Sequence, residues 1–178
     1  MFIEYEHLNK KTIQPFIKNG IIIDTSVLKI FIDGLISVKI NKKKSEELDK
    51  ILSFFDIIKV GWDKFYITPH VLAETCNHFR NDYSKAYRHC YSQIVKEVFP
   101  IIETIKEKEV KKEQIMKLID YDKPIIEIGD MSIFVIADEL IDRKEKIAIL
   151  AKDNGFNERY EFDKKVMIMD YNVINSLL

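Results

Sequence analysis

Residues 20–26, Gly-Ile-Ile-Ile-Asp-Thr-Ser, are the stretch that decides the fold. The three isoleucines form a short β-branched apolar run, which is typical of a strand buried on both faces of a parallel sheet. The polar residues that follow end this run, and Asp24, Thr25 and Ser26 supply good N-cap chemistry for a helix. The sequence therefore predicts a buried strand that passes directly into a helix, with Asp24 at the junction.

Strands and helices are predicted to alternate along the rest of the chain. Short apolar runs predict three further strands, at residues 65–68, 147–151 and 166–169. Helical spacing of apolar residues predicts helices that begin near residues 24, 45, 69 and 129, and two more between residues 81 and 120, separated near Pro100. Strands alternating with helices indicate an α/β fold with a mostly parallel sheet.

The composition is that of one globular domain. The chain has 178 residues, of which 47% are hydrophobic and 32% charged, and this excludes collagen-like and disordered proteins. No repeat or linker divides it, so we predict one domain over residues 20–178, preceded by an arm or helix in residues 1–19. The apolar runs fall short of the roughly 20 residues of a membrane span, and the first residues lack a signal-peptide pattern. We expect a cytoplasmic protein that has no contact with a membrane.

The formal net charge of -1 argues against a protein that coats nucleic acid by bulk electrostatics. It leaves room for a nuclease, since an acidic metal site offsets cations placed elsewhere.

Four acidic residues are candidates for a common site. Asp24 and Asp153 each follow a predicted strand, and Asp130 begins a helix after a short extended stretch. Glu74 lies one to two turns into the helix that follows the second strand. Because ligands bind at the carboxyl ends of the strands in parallel α/β sheets, we expect these four carboxylates to converge there.

Converging carboxylates repel one another and raise their own pKa values unless a cation neutralises them. Mg²⁺ and Mn²⁺ favour octahedral oxygen coordination, so they suit such a site. Each acid also has a structural alternative when taken alone: a helix cap for Asp24 and Asp130, a turn for Asp153, and a solvent-exposed helix position for Glu74.

Together the four segments resemble the PIN-domain family of metal-dependent ribonucleases, which includes the VapC-type toxins of toxin–antitoxin systems. The matching segments occur in the family's order, at residues 21–28 (Ile-Ile-Ile-Asp-Thr-Ser-Val-Leu), 66–74 (Tyr-Ile-Thr-Pro-His-Val-Leu-Ala-Glu), 128–137 (Ile-Gly-Asp-Met-Ser-Ile-Phe-Val-Ile-Ala) and 149–156 (Ile-Leu-Ala-Lys-Asp-Asn-Gly-Phe). The resemblance implies a three-layer α/β/α PIN-like fold with a mostly parallel central sheet. It also implies an RNA substrate and, for a toxin, an antitoxin protein as partner.

The resemblance further implies roles for individual residues. The acids that bind Mg²⁺ or Mn²⁺ and act in catalysis would be Asp24, Glu74, Asp130 and Asp153. Ser26 would be the hydroxyl that supports the first acid, and Ser132 stands where a further acid is sometimes found, so it would support the site or contact substrate.

Three functions remain open besides a toxin ribonuclease. One is a nuclease of RNA processing or decay, since the segment between Glu74 and Asp130 is longer and more charged than in compact toxins. Another is a catalytically degenerate PIN-like interaction module. A phosphohydrolase of the haloacid-dehalogenase type is disfavoured, because its motif needs a second Asp where this chain has Ser26.

Three tyrosines interleaved with cations mark one predicted helix. Tyr83, Tyr87 and Tyr91 fall at i, i+4 and i+8, among Arg80, Lys85, Arg88 and His89. Such a stripe suits either single-stranded RNA or a subunit interface. We expect the interface, and hence a homodimer.

Overall fold

The computed structural model describes residues 10–83, 91–119, 127–152, 155–160 and 162–177. Helices and strands alternate along these ranges. The elements are α1 (Lys10–Ile17), β1 (Ile21–Ile23), α2 (Thr25–Lys39), α3 (Glu46–Ile58), a 3₁₀ turn (Trp62–Lys64), β2 (Phe65–Ile67), α4 (Pro69–Tyr83), α5 (Tyr91–Thr104), β3 (Lys106–Glu107), α6 (Lys112–Met116), α7 (Ile128–Asp142), β4 (Ile147–Ala151), α8 (Gly155–Tyr160), β5 (Val166–Asp170) and α9 (Tyr171–Leu177).

A five-stranded sheet lies at the centre of the described part of the chain, in the order β3-β2-β1-β4-β5. Each neighbouring pair of these strands is parallel, with Ile22 of β1 opposite Tyr66 of β2 and Ile149 of β4. Helices flank the sheet. The predicted α/β class with a parallel sheet is confirmed, and the arrangement is consistent with three α/β/α layers.

The strands at the centre of the sheet are apolar and buried. Every residue of β1 and of β4 is buried, as expected for parallel strands covered on both faces. On one side the rings of Phe31, Phe55, Trp62 and Phe65 pack with centroid separations of 4.2 to 5.3 Å. These rings belong to α2, α3, the 3₁₀ turn and β2, so they pack those elements together on one side of the sheet.

The helix break predicted near Pro100 is wrong. Pro100 lies inside α5, where it removes one backbone hydrogen bond. The helix continues through it to Thr104, and Ile101 and Ile102, which follow Pro100, pack half-buried against the core. The sequence reading also missed β3, whose two residues are both charged and exposed.

The structure also describes part of the segment that precedes the predicted domain, and it allows a search for membrane-spanning helices. Within residues 1–19, the described part contains the helix α1, which includes Pro15. No helix among the described ranges is long and apolar enough to cross a membrane.

Candidate active site

The sheet order reverses between β1 and β4, because β2 and β3 lie on one side of β1 while β4 and β5 lie on the other. In parallel α/β sheets a crevice opens at the carboxyl ends of the strands where the order reverses, and ligands bind there. Asp24 directly follows β1, and its backbone N–H donates to the Leu150 carbonyl of β4 over 3.0 Å. Asp24 therefore lies at the reversal point itself.

The Asp24 side chain is held by the first turn of α2. It occupies the N-cap position, and its Oδ2 accepts hydrogen bonds from the Ser26 N–H, at 3.0 Å, and from the Ser26 hydroxyl. The Ser26 hydroxyl oxygen in turn accepts the Lys152 N–H at 3.1 Å. Because Ser26 joins Asp24 to the end of β4, it fixes the carboxylate relative to both strands.

Glu74 reaches the same place from α4. Its Oε2 accepts a hydrogen bond from the Thr25 hydroxyl at 3.1 Å, across 49 residues of sequence. Gly129, in the first turn of α7, lies against the same oxygen, since a Cβ added to Gly129 would come within 2.5 Å of it. The half-buried Glu74 carboxylate thus lies between the starts of α2 and α7.

The surroundings of Glu74 favour its neutral form. Burial raises the pKa of this carboxyl, and the negative charges of Glu127 and Asp24 raise it further. The Thr25 hydrogen bond and nearby His78 oppose this rise without cancelling it. A cation placed among these acids would relieve the repulsion, so the electrostatics suit the binding of positive charge.

Asp130 is not a helix cap. The N-cap of α7 is Glu127, whose side chain makes no capping bond, and Asp130 is half-buried at the third helical residue. The cap alternative for Asp130 is therefore wrong, although an acid in the first turn still suits the helix dipole. Asp24, by contrast, caps its helix and also belongs to the candidate site.

Ser132 connects α7 to the end of β2 through hydrogen bonds. It is 0% exposed; its hydroxyl donates to the Gly129 carbonyl at 2.6 Å and lies 2.7 Å from the Thr68 hydroxyl. Thr68 in turn accepts the Val71 N–H at 3.0 Å. Since Ser132 is enclosed, its position favours support of the site over contact with substrate.

The described acids do not by themselves form a complete metal site. Within the described ranges, no group of three or more His, Cys, Asp or Glu side chains is placed to hold a metal ion. The fourth candidate, Asp153, lies outside the described residues. The donor chemistry of Asp24 and Glu74 nevertheless fits a hard divalent cation, because both offer carboxylate oxygens in a region of excess negative charge.

A groove of about 600 Å³ opens beside Glu74, and its walls are formed by α4 and the start of α7. Ile128 presents an apolar side chain there that is 58% exposed. His70 and Asn77 contribute polar groups, and His70 Nδ1 is buried with no hydrogen-bond partner among the described residues. The groove thus combines apolar surface with a few polar groups, directly beside Glu74.

Thr25, Thr68, Glu127 and Gly129 were not identified from the sequence as residues of the site. Thr25 and Gly129 each stand next to a candidate acid, which was the available signal. Their roles depend on contacts with α4, and no local pattern encodes those contacts.

Comparison with family models, curated proteins and solved structures gave no match to this chain.

Proposed function

We propose that the protein is a metal-dependent endoribonuclease that hydrolyses RNA phosphodiester bonds. The observation that carries the proposal is the Thr25–Glu74 hydrogen bond, which brings the carboxylate of α4 beside Asp24 where the sheet order reverses. Four segments resemble those of PIN-domain ribonucleases and occur in the same order along the chain, which supports the same function.

Asp24, Glu74, Asp130 and Asp153 would hold Mg²⁺ or Mn²⁺. The bound ion would supply an activated water for attack on phosphorus and would stabilise charge on the leaving oxygen. The chain's own contribution is positioning: Ser26 orients Asp24 through two hydrogen bonds, and Thr25 orients Glu74 through one. Fixed carboxylates need no reorganisation during the reaction, which is how a preorganised site lowers a barrier.

The groove beside Glu74 suits a nucleobase next to the scissile phosphate. Single-stranded RNA is recognised by stacking of unpaired bases on flat or apolar side chains, with hydrogen bonds to their edges. Ile128 and the His70 ring provide the surface, and Asn77 provides a donor and an acceptor.

A cleavage assay tests the proposal. Purified protein is incubated with total RNA in Mg²⁺, in Mn²⁺ and in EDTA, together with Asp24→Asn as a matched inactive variant. We expect cleavage that requires the divalent ion and Asp24. If neither RNA cleavage nor cation binding is found in the wild-type protein, the proposal fails and a degenerate interaction module is favoured.

The toxin and processing roles differ in their cellular effect. A toxin arrests growth when expressed alone and is relieved by a small antitoxin protein encoded beside it. A processing or decay nuclease needs no such partner, so co-expression with the neighbouring gene product separates the two.

A further inference from the structure

A second cleft lies at the opposite end of the strands from the acids. It encloses about 360 Å³ and is bordered by the amino ends of β1 and β2, by β3 and by the end of α7. Among the described residues that line it, one is acidic, Glu145, and five are cationic. We call it the amino-edge cleft and define it by these cations: Lys18, Lys64, Lys106, Lys108 and Arg143.

Strand register brings the cations together. Lys64 directly precedes β2, and Lys106 is the first residue of β3, paired with Tyr66 of β2. Lys108 folds back over the Tyr66 ring, with its Nζ 4.7 Å from the ring centroid. Lys64, Lys106 and Lys108, which lie at or next to the ends of two neighbouring strands, therefore line one cleft together with Tyr66.

Glycine shapes the wall of this cleft. Gly20 has a φ of +105°, and a Cβ added there would lie 2.2 Å from the Tyr66 ring and 2.9 Å from the Lys64 carbonyl oxygen. Only glycine lets the Tyr66 ring lie over the backbone at this point. The ring forms a fixed wall, and the cations stand around it.

Helix ends explain part of this charge. In this fold α1, α5 and α7 all end at the amino edge, and their carbonyl ends favour a nearby cation. Lys18, Lys106 and Arg143 each follow one of these ends. The helix dipoles therefore explain one cation at the end of each of these three helices. They do not explain Lys64 and Lys108, or why all five cations line the same cleft.

We propose that the amino-edge cleft binds an anion carrying two or more linked phosphates, such as the triphosphate of a nucleotide or of an RNA 5′ end. The lining has an excess of four positive charges, or three once Glu139, which lies 4.0 Å from Arg143, is counted. A single phosphate carries a charge of about −1.5 to −2 and would leave part of this excess unneutralised. The volume falls within the range of small-ligand sites. The site is independent of the acids, because it lies at the other end of the strands.

Calorimetric titration with sodium tripolyphosphate tests the proposal, with sodium sulfate at the same ionic strength as the reference. We expect saturable binding of tripolyphosphate that is at least tenfold tighter than that of sulfate. The double variant Lys64→Ala/Lys106→Ala should weaken it at least tenfold. Lys96→Ala/Lys112→Ala removes the same charge from exposed positions on α5 and α6, and should leave the affinity unchanged.

Two results would overturn the proposal: tripolyphosphate that binds no tighter than sulfate, or a control pair that weakens binding as much as the cleft pair. Thermal melts without ligand verify that each variant is folded, and the milder Lys106→Gln replaces the double variant if it is not. Asp24→Asn should bind tripolyphosphate normally, so failure of the nuclease proposal and failure of this one are distinguishable.

Competition binding experiments identify the source of the phosphates. ATP and a short RNA with a 5′-triphosphate are each tested against tripolyphosphate, alongside the same RNA with a 5′-hydroxyl. Displacement by ATP identifies a free nucleotide, and displacement by the triphosphate RNA alone identifies an RNA end. If the hydroxyl RNA displaces tripolyphosphate as well as the triphosphate RNA does, internal phosphates suffice and the proposal of linked phosphates is overturned.

Discussion

Asp24 shows how one residue serves both the fold and the proposed chemistry. Its carboxylate caps α2 and accepts two hydrogen bonds from Ser26, while its position after β1 places it at the sheet reversal. Asparagine caps a helix about as well as aspartate, so charge and capping can be separated by a single substitution.

We predict that Asp24→Asn and Asp130→Asn each lower RNA cleavage by more than about 100-fold and leave the protein folded. Each change keeps the side-chain size and removes the negative charge that a cation needs. Cleavage rates and thermal melts of both variants provide the measurement. A variant with a normal melt that still cleaves RNA would remove that residue from the catalytic set.

Glu74 gives a pH-dependent prediction. Because its pKa in the folded protein is raised above the ordinary 4.5, the folded state keeps the proton to a higher pH than the unfolded chain does. In EDTA, the contribution of Glu74 to stability therefore falls as the pH rises from 4.5 through the folded-state pKa. Glu74→Gln removes this fall, so the variant should melt higher than wild type at pH 7 in EDTA.

Glu109→Gln is the control for this experiment, since Glu109 is exposed and lies outside the site. It should leave the melting curve unchanged at both pH 4 and pH 7. If Glu74→Gln instead melts below wild type at pH 7, the repulsion inferred among Glu74, Asp24 and Glu127 is wrong.

At the scale of elements, the site depends on how closely α4 approaches α7. Gly129→Ala places a methyl group within 2.5 Å of the Glu74 oxygen, which must move. We predict about 100-fold slower cleavage, because small displacements of a catalytic group cost that much. The fold should survive, since alanine favours a helix by about 1 kcal/mol over glycine.

A double-mutant cycle checks the cause. If Gly129→Ala acts by displacing Glu74, it should cost no further activity in a Glu74→Gln background. A full additional loss in that background would show that Gly129 acts by another route.

The sequence predicted the elements with strong local patterns and missed those without. β1 and β4 are continuous apolar runs, and Pro69 follows a capping threonine, so these boundaries were readable. β3 consists of two exposed charged residues that pair only because β2 is present. Pro100 was interpreted as a helix break because the prediction used the low helix propensity of proline and could not include the packing of α5 against the core.

The same limit applies to the candidate site. Residues at strand ends, such as Asp24, are readable because topology alone brings strand ends together. The Thr25–Glu74 bond and the Gly129 contact depend on how α4 packs against α2 and α7, and no short segment of sequence records this.

At the scale of the whole molecule, the expected homodimer remains a prediction. Tyr87 lies outside the described residues, as do Lys85, Arg88 and His89, while the side chains of Tyr83 and Tyr91 are likewise not described. If the tyrosines form a subunit interface, Tyr87→Glu should dissociate it, because an unpaired buried charge is costly. Sedimentation velocity measures this, with Tyr87→Phe as the control. A Tyr87→Glu protein that sediments like wild type would contradict the interface.

The whole fold should also respond to metal. A cation that binds only the native state adds RT ln(1 + [L]/Kd) to its stability, about 2.7 kcal/mol at a concentration of 100 Kd. For a domain of this size that corresponds to a rise in melting temperature of roughly 5–10 °C on going from EDTA to saturating Mg²⁺. Asp24→Asn/Glu74→Gln should lose most of the rise, because both proposed ligands at the sheet reversal are then neutral. The amino-edge cleft provides the contrast, since Lys64→Ala/Lys106→Ala should keep the rise in full. Equal midpoints in EDTA and Mg²⁺ for the wild-type protein would contradict a metal site at these acids, whereas a rise that survives in the double acid variant would place the ion elsewhere on the molecule.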